Sequence, residues 1–260
     1  MWLLLDLLRR CGEWEWLYGP RALPSPSSAL LLSAADTLDV SAATPNSTRG
    51  GVTLKQRLDA LEERMLAAKL DCDNNKGAAD ACHAVGEFLS VVKNDHAGAR
   101  KQFDRNCKNG HGASCFALGR LLLGGKGGST DEKGGERVLK KGCDLEHAPS
   151  CHHLGLLAFG RGDARTGKKH LDKACTKGLA QACHVLGGAL LRPGNNRDAV
   201  KAKNYLETAC ADGHAPACHN LAVMFRKGDD GVPADPPRSA RHATRRRAVV
   251  QTAAAAPGAS

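Results

Sequence analysis

Residues 107–119 read CKNGHGASCFALG, 143–155 CDLEHAPSCHHLG, 175–187 CTKGLAQACHVLG and 210–222 CADGHAPACHNLA. Each is a C-x7-C pair whose second cysteine opens the phrase Cys, any, any, aliphatic, small. A fifth pair, Cys72 and Cys82, has the wider spacing C-x9-C and the same ending, CHAVG at 82–86. From second cysteine to second cysteine the steps are 33, 36, 32 and 35 residues, a period that belongs to solenoid repeats.

Four residues before the first cysteine of the C-x7-C pairs stand Phe103, Leu139, Leu171 and Leu206. That spacing sets the apolar residue and the cysteine on one helical face. The pattern predicts a helix ending at the first cysteine, a tight turn, and a second helix starting near the second cysteine. Gly110, Gly178 and Gly213 stand three residues after the first cysteine, where a helix C-terminus takes a left-handed residue that glycine adopts cheaply; Glu146 fills that place in the fourth turn. Small residues at the fifth position of the phrase, Gly86, Gly119, Gly155, Gly187 and Ala222, let neighbouring helices approach closely. The expected fold class is all-α, an α-α superhelix (solenoid) of about five helical hairpins, each leaving an apolar face for the next to cover.

Composition agrees with such a fold. The 260 residues are 42% hydrophobic but only 4% aromatic, thin material for one large core, so eleven cysteines must supply cohesion that bulky rings do not. No window approaches the ~20 apolar residues of a membrane-spanning helix, which excludes an integral helical membrane protein. The net charge of +10 is uneven: residues 236–260 hold five Arg and no acid. Residues 51–235 carry both signs, which argues against a nucleic-acid stripe built into the fold.

Zinc knuckles favour C-x2–4-C, and x7 is too wide for one chelating loop; a disulfide across the corner of a helical hairpin suits x7 well. The expected bonds are Cys72–Cys82, Cys107–Cys115, Cys143–Cys151, Cys175–Cys183 and Cys210–Cys218, with Cys11 unpaired. No catalytic, cofactor-binding or metal-ligating residue is assigned. A loop this short is worth roughly 2–3 kcal/mol, and such bonds belong to an oxidising compartment.

The five pairs, the opening LDCDNNKGAADACHAVGEFL at 70–89 and the GKGG loop at 125–128 resemble the SEL-like repeat family, disulfide-bridged relatives of tetratricopeptide repeats. The likeness covers residues 53–235 and is strongest to cysteine-rich members of the mitochondrial intermembrane space. It implies a monomeric scaffold, without a cofactor, whose concave surface binds protein clients. These would be assembly intermediates of the respiratory chain, chiefly of cytochrome c oxidase, with import through the intermembrane-space disulfide relay. A thiol-disulfide or haem-handling redox protein and a secreted cysteine-rich binding solenoid stand as alternatives.

The ends depart from that family. Residues 1–52 read as an atypical extension, with Pro, Ser, Ala and Thr concentrated in 24–51; Asp6 inside the apolar start and Arg9-Arg10 after it reverse the order of a secretory signal. Asn46-Ser47-Thr48 matches a glycosylation sequon. Thr53-x-x-Gln56 forms a capping box, opening a helix with Leu54, Leu58, Leu61, Met65 and Leu66 at helical spacing, expected to cap the stack. Residues 236–260 read as a disordered basic tail, leaving the last repeat without a stacking partner.

Four second cysteines are followed by histidine: His83, His152, His184 and His219. Packed helices lie about 8–10 Å apart, too far for successive rungs to share an ion, so half-buried histidines beside the disulfides are expected. A haem ligand pair on one helix would want histidine seven residues after His152, where Phe159 stands. Ser90-Val91-Val92-Lys93 fits S-x-x-K, but no S-D-N or K-T-G accompanies it, and the pair is expected to be catalytically idle.

Overall fold

A computed structural model describes residues 53–74, 78–194 and 197–254, with no side-chain description for Leu54, Leu58, Ala253 or Ala254. Cys11, the sequon and the N-terminal extension lie outside the described residues. Eleven helices run through the described chain: α1 Leu54–Asn74, α2 Ala79–Val91, α3 His96–Lys108, α4 Gly112–Leu123, α5 Glu132–Asp144, α6 Ala148–Gly160, α7 Ala164–Thr176, α8 Ala180–Leu190, α9 Ala199–Ala211, α10 Ala215–Lys227 and α11 Pro236–Ala254. The chain divides into two compact units, the boundary falling between Val138 and Leu139 inside α5.

The odd helices from α3 onward share one start signal. Asp95, Asp131, Asp163, Asp198 and Asp235 each accept, through a side-chain oxygen, the N–H three residues on, at 2.8, 2.8, 3.0, 2.9 and 2.9 Å. This satisfies a donor that a helix N-terminus otherwise leaves orphaned. At the other end, the N–H four residues past the first cysteine bonds back to the carbonyl just before it: His111 to Asn106, His147 to Gly142, Leu179 to Ala174 and His214 to Ala209. That six-to-one closure needs a left-handed residue inside it, and Gly110, Glu146, Gly178 and Gly213 supply it with φ of 92°, 62°, 85° and 81°.

Each corner carries a disulfide: Cys72–Cys82, Cys107–Cys115, Cys143–Cys151, Cys175–Cys183 and Cys210–Cys218, with Cα atoms 4.6–4.8 Å apart. The stapled pairs are not the most extensively packed ones. In the second unit α6 against α7, α8 against α9 and α10 against α11 share more contact than the stapled α7/α8 and α9/α10. The packed hairpin therefore runs from a second helix into the next first helix, and the disulfide fastens one such hairpin to another.

Close approach in the packed hairpin depends on the small fifth position. A Cβ on Gly155 would lie 2.6 Å from Leu171 Cγ, and one on Gly187 would lie 2.8 Å from Leu206 Cγ; in the first unit Gly86 meets the Phe103 ring in the same way. Phe103, Leu139, Leu171 and Leu206 are fully buried.

Two expectations are corrected. The capping box forms, with Gln56 Oε1 accepting the Thr53 N–H at 2.7 Å and Thr53 Oγ1 the Gln56 N–H at 3.3 Å. The buried stripe of α1, however, runs through Leu61, Met65, Ala68 and Cys72, so Leu66 stands 60% exposed. Residues 236–254, expected as disordered tail, are helical. An Ala/Arg-rich run has high helix propensity, and α10 offers it a surface: Ser239 Oγ donates to the Ala222 carbonyl at 2.7 Å, and His242 stacks on Phe225 with centroids 5.5 Å apart. The last repeat thus has its partner helix.

Candidate functional site

The disulfide corners are enclosed. Cys115, Cys151, Cys183 and Cys218 are 0% exposed, held under the turn by the helices they join. Seven residues after the aspartate cap, the next first helix sends a polar side chain to three corners. Gln102 Nε2 donates to Cys72 Sγ at 3.0 Å, and His170 Nδ1 and His242 Nδ1 lie 3.9 and 3.7 Å from Cys143 Sγ and Cys210 Sγ. Three residues further along those helices, Lys173 Nζ donates to the Cys143 carbonyl at 2.7 Å and Arg245 to the Ala211 carbonyl at 2.8 Å, placing cations where helix C-termini gather negative charge.

The histidine ladder is less uniform than its spacing suggests. His83 and His152 are buried, His184 is half-buried and His219 is exposed. The post-cysteine histidines meet a second set, four residues after the first cysteine. His83 lies 5.1 Å from His111, ring to ring, and His184 lies 4.6 Å from His214. His152 has Leu179 in the position where His111 and His214 stand in their corners, and its Nε2 is buried without a hydrogen-bond partner. Burial pushes His152 down to about 4, helped by the charge of His153, and burial with the neighbouring His184 does the same for His214. These rings are held neutral. In the first unit, Ser114 Oγ lies 3.0 Å from His83 Nδ1 and 2.8 Å from His111 Nδ1, while His83 Nε2 lies 3.4 Å from Glu87 Oε1. Ser114 is 0% exposed, so this serine–histidine–carboxylate chain is a packed network closed to substrate. Among the described residues no three His, Cys, Asp or Glu side chains converge as a metal site. Ser90 Oγ lies 3.2 Å from His96 Nδ1, and Lys93 pairs with Glu62 of α1.

Charge is sorted by helix. In the second unit α7, α9 and α11 carry eleven basic side chains against two acids, whereas α6, α8 and α10 carry only Arg226 and Lys227. Six residues after the aspartate cap stand Lys101, Arg137, Lys169, Asn204 and Arg241, all exposed. The even helices hold cysteine, glycine and leucine for packing; the odd helices present the polar surface. Two shallow grooves lie in the second unit. One of about 300 Å3 sets Lys168 and Arg192 over Phe159, Ala189 and Pro193, and a larger one of about 480 Å3 lies along α11. Sequence reading took the mixed charge of 51–235 at face value and missed this sorting; the signal was available in the charge of each segment ending at a first cysteine.

Sel1 repeat matches cover residues 112–147, 145–179, 180–214 and 215–245, just over half of the chain. The last three begin at an even helix and take in the odd helix after it, so that in these the family's repeat is the extensively packed pair. No curated protein sequence matches the chain. Among solved structures, a Sel1 repeat protein from Oxalobacter formigenes shares 21% identity over 77% of this chain and 59% of its own length, with a TM-score of 0.61. A protective antigen of uropathogenic Escherichia coli with an SLR fold shares 17% over 94% of this chain and 56% of its own, at 0.60. An immunity protein of Pseudomonas aeruginosa shares 16% over 86% and 83%, at 0.51. The chain thus spans somewhat more than half the length of the first two, and at these identities the likeness is one of fold.

Proposed function

We propose a client class for this chain, which belongs to the Sel1 repeat family of protein-interaction scaffolds: assembly intermediates of the respiratory chain, chiefly of cytochrome c oxidase, met in the mitochondrial intermembrane space. The task would be like that of cytochrome c oxidase assembly factor 7. The observation that carries this reading is the enclosed disulfide at every corner. Ten cysteines oxidised in five short loops need a compartment that forms and keeps disulfides, and a helix–turn–helix with one paired cysteine on each arm is what an oxidative import relay can trap. The scaffold role rests on the odd helices, whose repeated positions build the fold while an exposed place varies from Lys169 to Asn204 to Arg241 at the same register.

The test is to express the tagged full chain in yeast or cultured cells, alkylate free thiols, and follow protease access before and after rupture of the outer mitochondrial membrane. Protection until rupture, five oxidised pairs, and cross-links to cytochrome c oxidase subunits are expected. Recovery from the medium would favour the exported-binder alternative instead, and reduced protein in the cytosol would end the proposal.

A further inference from the structure

The repeat register shows what is peculiar about α11. Counting from the aspartate cap, every earlier odd helix from α3 onward has Phe or Leu at the eighth place and cysteine at the twelfth: the first is buried in the packed hairpin, the second staples the following helix. Counted from Asp235, those places hold Ala243 and Arg247. Helix α11 has kept the cap and lost the means of recruiting another hairpin. In their place it carries Arg238, Arg241, Arg245, Arg246 and Arg247 and no acid. Part of this charge is tied down: Arg238 lies 3.3 Å from Asp235 and stacks over Phe225 at 5.5 Å, and Arg245 donates to Ala211. Arg241, Arg246 and Arg247 are exposed and form no ion pair with a described residue.

Arg238, Arg241 and Arg245 follow one another at helical spacing and line the groove of about 480 Å3, with His242, Thr244 and Ala248 from the same helix and Glu207 from α9. We infer that this groove binds an acidic, extended segment of a partner protein, the guanidinium groups taking its carboxylates in the paired geometry that arginine favours, against the repulsion of Glu207 at the groove's edge. A groove lined by one face of a single helix and Glu207 suits a peptide better than a lipid surface. His242, the one ring lining the groove, is half-buried and already stacked on the buried Phe225, so no free aromatic face is offered to bases, as single-stranded nucleic acid prefers. The basic α7 and α9 extend the favourable field within the same unit.

The inference rests on reading the chain as a protein scaffold, but on neither client nor compartment, so it fails or stands in a purified system whatever the localisation experiment returns. A fluorescein-labelled decapeptide alternating Glu and Gly is titrated with the full chain by anisotropy at 50 and 200 mM NaCl. Saturable binding at 50 mM, weakened severalfold at 200 mM, is expected. Arg241→Glu, at a side chain with no ion partner among the described residues, should weaken it at least fivefold, Glu207→Gln should tighten it about twofold, and Arg226→Glu, outside the groove, should leave it within twofold of the parent; circular dichroism checks the fold of each. Absence of binding at 50 mM, equal loss in Arg226→Glu, or no gain in Glu207→Gln overturns the site. Tighter binding to phosphatidylserine vesicles or to a uridine 20-mer in the same buffer overturns the choice of partner.

Discussion

From α3 to α10 the even and odd helices have nearly the same length, 11 to 13 residues, and in the second unit they have opposite charge content. In the second unit, α6 and α8 contain no charged residue at all, and their phrase Cys, any, any, aliphatic, small is repeated because its first, fourth and fifth places are buried. Helices α7 and α11 keep a capping aspartate and carry four and five Lys or Arg side chains. The difference teaches where this chain spends sequence on folding: α6 and α8 bury five positions each and leave the rest uncharged, whereas α7 buries Gly167, Leu171, Ala174 and Cys175 and gives four of its other places to Lys or Arg. Perturbing the two kinds of helix should therefore give very different losses.

The largest loss is expected at the fifth position of the phrase. A Cβ on Gly155 would stand 2.6 Å from Leu171 Cγ and 3.1 Å from the Gly167 carbonyl oxygen, and the carbonyl is backbone that cannot swing away. Gly155→Val should cost about 3 kcal/mol or more, whereas Gly160→Ala, where nothing lies within 4 Å, should be close to neutral. Urea midpoints of the two variants measure the contrast; equal midpoints would break the close-packing account of the even helices.

Next come the staples. Replacing Cys143 and Cys151 together by Ser removes a short loop closure worth about 2–3 kcal/mol at a corner that fastens α5 to the packed α6/α7 hairpin. The same change at Cys72 and Cys82, which fastens only the first described helix, should lower the melting temperature less. A larger drop for the Cys72/Cys82 pair would mean that the first unit depends on α1 far more than its packing suggests.

Much of this was legible in the spacing of cysteines. Helix ends, left-handed turn positions and the need for small fifth residues all follow from a pattern repeated four times, because each is a local requirement of backbone geometry. The aspartate ladder stands twelve residues ahead of the first cysteine of each C-x7-C pair, but a single aspartate is too common a residue to mark a helix start as firmly as paired cysteines mark a corner. The pairing of His83 with His111 and of His184 with His214 was not legible. It depends on how one corner lies over the next, which no single-repeat spacing specifies. The helical tail failed for a third reason: Arg-rich composition resembles a solvated segment until the surface of α10 is available to fold against.

The third expected effect is a pH dependence. The folded His152 sits at about 4 because burial disfavours its charge, against about 6.5 in the unfolded chain. Above pH 6.5 both states are neutral and nothing is gained or lost; as pH falls from 6.5 toward 4 the unfolded chain takes up a proton that the folded chain refuses, and stability declines. His152 alone should account for about 2 kcal/mol of that decline, with His214 adding in the same direction. His152→Gln should flatten the curve of urea midpoint against pH over that window, and an unchanged slope would show that the ring is solvated.

The smallest effect belongs to the joint between odd and even helices. Three of the four C-x7-C corners place glycine at the left-handed residue, and the fourth places Glu146 there at φ 62°. A side chain in that region crowds its own backbone, so Glu146→Gly should raise the urea midpoint slightly. The gain is reduced by the loss of an exposed ion pair to Lys177 at 2.7 Å, a contact of the kind that adds little on a protein surface. The reciprocal change is the cleaner one. At Gly178, φ is 85° and an added Cβ would meet nothing within 4 Å, so any cost of Gly178→Ala is the backbone's alone, about 1 kcal/mol. Opposite signs for the two substitutions establish that the corner is limited by backbone conformation. A stabilising Gly178→Ala would show instead that the corner relaxes when substituted, and that the disulfide rather than the left-handed residue holds the turn.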